Sequence, residues 1–177
     1  MSAVERQVRA WLEGAVLDLN LCPFAARPYA DGRVRLVVSE ATTPEQVLAE
    51  LQEELLHLDR TPVVETTLLV TPRALADFLD YNDFLDPVDA LLEEHGGGGV
   101  YQVASFHPDY QFAGTDPGDA ENYSNRAPYP ILHVLREDSL ERALAAYPDA
   151  EAIPERNIAT LNRLGGEHLR RLFAGWS

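Results

Sequence analysis

Apolar positions recur at three- and four-residue steps through the first twenty residues. Val4, Val8, Trp11, Leu12, Ala15, Val16 and Leu19 fall on one side of a helix over residues 3–20. Leu21-Cys22-Pro23-Phe24 stops it, because a residue before proline is pushed out of the helical region. The period then changes. Residues 34–39, rich in valine and preceded by Asp31-Gly32, read as a strand. Thr43-Pro44-Glu45-Gln46 opens a second helix: Thr43 caps it, Pro44 sits in the first turn and Gln46 reaches back. Val47, Leu48, Leu51, Leu55 and Leu58 lie on one side of that helix. Residues 63–70 are nearly continuous in apolar and β-branched types, as in a strand buried on both faces.

Thr71-Pro72 begins a third helical region. Asp86-Pro87 is expected to divide it into pieces at 73–80 and 87–94, since proline lacks an N–H and crowds the preceding turn. The four glycines Gly96 to Gly99 lead into a strand at 100–106. They precede a strand instead of opening a helix, which is the wrong context for a phosphate-cradling loop. A long loop at 108–128 leads to a strand at 131–136. A short helix starts at Asp138-Ser139-Leu140-Glu141, and a last one at 154–173 carries Ile158, Leu161, Leu164, Leu169 and Leu172.

The order is α-β-α-β-α-β-β-α-α. The first two strands and their helix form a βαβ unit, so those strands should be parallel. The last two can pair antiparallel across the long loop. The expected fold class is α/β (α+β), a mixed four-stranded sheet with helices packed mainly on one face, in a single domain over residues 1–177.

Composition removes several function classes. A 46% apolar content suits a globular chain, and no apolar run is long enough to span a membrane. The first residues alternate charge with apolar side chains, unlike a signal peptide. The net charge of −15 opposes phosphate backbones and anionic lipid, so no nucleic-acid partner and no membrane partner are expected. Cys22 is the single cysteine, so no intramolecular disulfide can form, in keeping with a cytoplasmic, reducing location. All fourteen basic residues are arginine. Without lysine there is no Schiff-base chemistry, no covalent pyridoxal phosphate and no P-loop nucleotide site. Oligomeric state is left open by the sequence.

Candidate chemistry gathers between Ser105 and His133. A loop this long inside a compact domain is usually functional or disordered, and this one is too aromatic for disorder. His107 ends a strand and Asp109 follows two residues later. A carboxylate beside a histidine can fix its tautomer and raise its basicity, giving a general base. His107, Asp109 and His133 could alternatively hold a divalent metal in a facial arrangement. Alternation places Ile131, His133 and Leu135 on one face, so His133 can equally be a hydrogen-bonded core residue. Arg126, with Asn125, Tyr110, Tyr123 and Tyr129 around it, could hold a small anionic ligand in two-point fashion, or could brace the loop through an acidic neighbour. Cys22 lies at a helix C-terminus, the wrong end to lower a thiol pKa, so it reads as a buried thiol unless His107 or Arg126 activates it.

Three motifs carry a resemblance: Asn20-Leu21-Cys22-Pro23-Phe24, the run from Gln102 through Ser105-Phe106-His107-Pro108-Asp109-Tyr110-Gln111-Phe112, and Asn122-Tyr123-Ser124-Asn125-Arg126-Ala127-Pro128-Tyr129-Pro130. Together they resemble a bacterial family of uncharacterised proteins, the domain of unknown function 1415. The resemblance spans nearly the whole chain. It implies a bacterial, cytosolic, stand-alone protein and brings no activity with it.

Two functions compete on this reading. One is a small-molecule enzyme in which His107 acts as base or metal ligand, Asp109 orients it and Arg126 with Tyr129 holds the substrate, with Cys22 and His133 in support. The other is a non-catalytic ligand-sensing or protein-binding module, which predicts an exposed apolar patch near Trp176 or Tyr81-Phe84.

Overall fold

The computed structural model describes residues 1–176. Ser2 and Glu5 start helix α1, Ala3–Trp11, by a reciprocal cap: each side chain accepts from the other's backbone N–H. The expected helix over 3–20 does not continue as one α-helix. From Leu12 to Leu17 the chain winds as a π-helix, and Asp18 N–H reaches back to Glu13 O at 3.1 Å. The wider turn re-aims the apolar stripe without exposing it, and Leu12, Ala15 and Val16 remain buried. A five-residue helix, α2 (Ala26–Ala30), follows. It is too short to leave a periodic signature.

Strand β1 is Val34–Val38, helix α3 is Pro44–Arg60 and strand β2 is Thr66–Val70. Thr43 caps α3 as expected, its hydroxyl accepting from Gln46 N–H. β2 starts later than residue 63, because Val64 N–H closes a turn onto Thr61 O. Helix α4 runs unbroken from Phe78 to Glu94, which corrects the expected division at Pro87. Asp77 Oδ1 accepts from the N–H groups of Leu79 and Asp80 and so fixes the start. Pro87 and Asp83, whose carbonyl loses its helical donor, both lie on the exposed side. The freed carbonyl stays in water while Tyr81, Phe84, Val88 and Leu92 pack inward.

Strand β3 is Tyr101–Phe106 and β4 is Ile131–Arg136. Between them the loop contains one 3₁₀ stretch, Ala120–Asn125. Helix α5 is Glu137–Ala146. The expected last helix is two, α6 (Ile153–Leu164) and α7 (Gly166–Ala174), separated at Gly165. Gly165 takes φ +81°, which ends α6, and a Cβ at Gly166 would sit 2.8 Å from Gly118 O.

The sheet order is β1-β2-β4-β3. β1 and β2 are parallel; β4 is antiparallel to both β2 and β3. This is the mixed sheet the pattern predicts. The two long helices, α3 and α4, share one face and pack on Leu69, Leu132 and Val134. The opposite face, carrying Leu68, Val70 and Ile131, is covered by α1 and the π-helical segment. A third cluster ties α6 and α7 to the loop through Ala120, Tyr123, Leu161 and Leu169. Among the described residues no helix is long and apolar enough to cross a membrane.

Candidate functional site

The long loop is built from polar side chains that bond to the loop itself. Asn122 is fully buried. Its Oδ1 accepts from Phe112 N–H and from the Thr115 hydroxyl, and its Nδ2 donates to Asp116 O. Asn125 Nδ2 donates to Ser105 O at 3.0 Å, and Asn125 O accepts from His107 N–H. Arg126 donates from Nε to Tyr110 O and from a terminal nitrogen to Pro117 O, with its guanidinium 4.5 Å above the Tyr123 ring. The anticipated carboxylate partner of Arg126 is thus replaced by two carbonyls and a ring. Tyr110 stacks between Phe78 and Phe112, Tyr123 packs on Phe173, and Tyr129 donates to Gln7 Oε1.

His107 is fully buried between Phe78 and Tyr81 of α4. Its Nδ1 accepts from Asp109 N–H at 3.0 Å, so Nε2 is the protonated nitrogen and donates to Leu75 O at 3.0 Å. The partner supplied by Asp109 is therefore its backbone N–H, while its side chain belongs to an exposed residue. Leu75 takes φ +59°, uncommon for a bulky residue, and His107 clamps the carbonyl of that turn. Burial holds the imidazole's pKa below its ordinary value, partly opposed by the hydrogen bond to Leu75. Both ring nitrogens are thus occupied.

His107 and His133 lie on opposite faces of the sheet. His107 packs against α4, whereas His133 pairs with Leu68 and Ala104 and points to the α1 side. The expected His107–Asp109–His133 ligand set therefore does not assemble. No group of three His, Cys, Asp or Glu side chains suited to a metal occurs among the described residues.

The structure instead places Cys22 and His133 along one cavity, with residues the sequence did not single out. Between the sheet, α1, the π-helical segment, α2 and α5 lies a cavity of about 250 Å³. Trp11, Leu12, Val16 and Leu17 form its roof, Leu68, Ala104, Phe106 and Leu135 its floor, and Phe24, Leu140 and Ala143 its rim. The π-helical turn thus supplies part of the wall. His133 stands among them, with part of its ring accessible. Its Nε2 is sealed from solvent and has no hydrogen-bond partner. Burial pushes its pKa down to about 4, so the ring is neutral at ordinary pH. Cys22 contributes a thiol whose pKa is raised by burial, against the opposing pull of the Phe24 and Ala25 N–H groups. The other oxygen-bearing and charged side chains of the lining already have partners: Tyr29 with Glu13, Glu65 with Arg33, Thr66 with Val134 O, Arg136 with three carbonyls, and Ser139 with Arg142; the Trp11 indole N–H makes no hydrogen bond.

One signal for this cavity was present in the sequence: the alternation placing His133 on the face of Ile131 and Leu135. The rest depends on which face α1 covers and on how α5 folds back, and neither is a local property.

Fold and cavity together define an α+β protein with a mixed four-stranded sheet and one apolar, ligand-sized hollow on a sheet face. The chain belongs to the family described as "Protein of unknown function (DUF1415)", whose model matches residues 3–171. No curated protein and no solved structure matches it.

Proposed function

We propose that this chain binds a small, mainly apolar molecule in the cavity between the sheet and the π-helical segment. The observation that carries this reading is a neutral imidazole without a partner in an apolar hollow of about 250 Å³. Binding sites for small molecules are concave and mostly apolar, with few polar groups fixing orientation. The hollow matches that description, whereas the polar side chains of the long loop are committed to holding the loop. Tyr81 and Phe84 are buried, so the exposed patch expected there for a protein-binding module is absent; of the two functions weighed from the sequence, the hollow supports the ligand-sensing form of the second. A site that orients a ligand with one histidine needs no turnover.

Trp11 reports on the site because it is both buried and part of the lining. Trp176 is the other tryptophan, so Trp176→Phe leaves Trp11 as the sole indole. Titration of that variant with 1-bromohexane, whose bromine quenches indole emission on contact, should give saturable quenching. Ala104→Leu, which fills the floor, should abolish the saturable part while preserving the thermal transition. Quenching that rises linearly without a plateau, and equally in Ala104→Leu, would refute the reading.

A further inference from the structure

Resting on that reading, we infer that the ligand is a neutral hydrophobe of about ten heavy atoms with one hydroxyl, which hydrogen-bonds to the imidazole of His133. The size follows from the volume. An apolar cavity of about 150 Å³ accepts benzene, with its six heavy atoms. One of about 250 Å³ scales to roughly ten.

The absence of charge follows from the partners. Glu65 and Arg136 carry the formal charges of the lining, and both are spent. Glu65 accepts from Arg33 at 2.6 Å, and Arg136 donates to Leu58 O, Thr61 O and Val64 O. A ligand carboxylate would lie in apolar surroundings without a counter-ion, which is costly, and the chain's net charge of −15 opposes it further. His133 supplies no positive charge, because a ring without a hydrogen-bonded acid in an apolar site stays neutral.

The hydroxyl follows from what is missing. Among the oxygen- and nitrogen-bearing side chains of the lining, His133 and the Trp11 indole make no hydrogen bond, and of the two only the imidazole also offers a lone pair to a ligand hydroxyl. A neutral imidazole has one N–H and one lone pair, and a buried nitrogen without a partner costs free energy that a partner restores. A hydroxyl can serve either nitrogen, donating to the lone pair or accepting from the N–H. The sealed Nε2 is not out of reach, since a half-turn about the Cβ–Cγ bond exchanges the ring's two edges at constant volume. Trp11 and Phe106, edge to face at 5.3 Å, and Phe24 suit a ring as the ligand's body.

Three probes of similar size separate the possibilities: 4-propylphenol, propylbenzene and 4-propylbenzoate, each titrated calorimetrically into the full chain. The inference expects 4-propylphenol to bind about tenfold more tightly than propylbenzene, with 4-propylbenzoate weakest. In His133→Leu the phenol should fall to the level of the hydrocarbon. Equal binding of phenol and hydrocarbon to the native protein, needing no variant, overturns the inference and leaves the binding site standing. A preference that persists in His133→Leu, or tightest binding of the benzoate, also overturns it. If none of the three binds, the cavity reading itself fails.

Discussion

His133 should make this protein's stability sensitive to mild acid, by an amount the structure sets. In the folded chain its pKa lies at about 4, against an ordinary value of 6.5. Burial is the cause, and no hydrogen bond or charge offsets it. The folded form therefore takes up the proton less readily than the unfolded chain. The stability this represents is complete above about pH 6.5 and is lost as pH falls toward 4. At about 1.4 kcal/mol per pH unit, the full span is worth about 3 kcal/mol, and about 2 kcal/mol is gone by pH 5. The other titratable groups around the cavity are Cys22, Tyr29, Glu65 and Arg136. None of them pairs with the ring.

The assay compares native protein with His133→Leu by thermal and urea unfolding at pH 7, 6 and 5. Leucine removes both the proton-linked group and the unpartnered nitrogen, so the variant should already be about 1 kcal/mol more stable at pH 7. The gap should widen by about 2 kcal/mol at pH 5, roughly 4–8 °C in midpoint for a chain of this size. Carboxylates and His107 titrate in both proteins and cancel in the difference. Parallel stability curves from pH 7 to pH 5 would refute the reasoning, because they would mean that the ring is already partnered or hydrated.

Further outcomes follow from other parts of the fold. Asn122→Ala should destabilise the chain by about 1–3 kcal/mol, since it removes the buried partner of the part-buried Phe112 N–H and Asp116 O; urea unfolding measures it. Gly14→Ala places a methyl 2.6 Å from the Trp176 indole, so it should lower the thermal midpoint and red-shift Trp176 emission. Trp176→Ala should largely abolish the effect of Gly14→Ala in a double-mutant cycle, and additive losses would contradict the contact. Arg126→Ala should speed limited proteolysis within residues 108–128 while leaving 1-bromohexane quenching of Trp11 unchanged, because Arg126 holds Tyr110 O and Pro117 O far from the cavity lining. Cys22 should react slowly with a charged disulfide reagent and faster in urea, because burial raises its thiol pKa; equal rates would count against a buried thiol.

Much of the architecture was legible from periodicity. The βαβ unit appears as parallel β1 and β2, and the strand with no polar breaks, β2, is central and buried throughout. The antiparallel β3–β4 pair also emerges as expected. What periodicity missed were places where one residue's local preference lost to packing. Pro87 should break a helix, but its turn faces water and Tyr81, Phe84, Val88 and Leu92 hold the other side. The π-helical turn after Trp11 has no sequence signature, since i and i+4 spacing looks the same on either side of it. The loop residues were legible as an ordered, polar cluster. Their chemical type suggested catalysis, yet the same types build rigid loops, and only the partner of each atom distinguishes the two.

That distinction carries the functional argument. A buried polar atom with a good partner is accounted for by the fold: Asn122 and His107 each satisfy their bonds within the chain. An atom without a partner asks for something more, but lacking a partner is not enough. Thr67 Oγ1 and Glu50 Oε2 also lack one. Thr67 lies on the face packed by α3 and α4, and neither residue lines the cavity. Nothing could reach Thr67 without opening the core. His133 differs because its ring borders space of molecular size, into which a half-turn about the Cβ–Cγ bond brings the other edge, and that space is walled by rings and aliphatic groups that would gain contacts from an occupant. An unfilled bond and an unfilled volume at one position constrain each other. The occupant that satisfies the first must also fit the second.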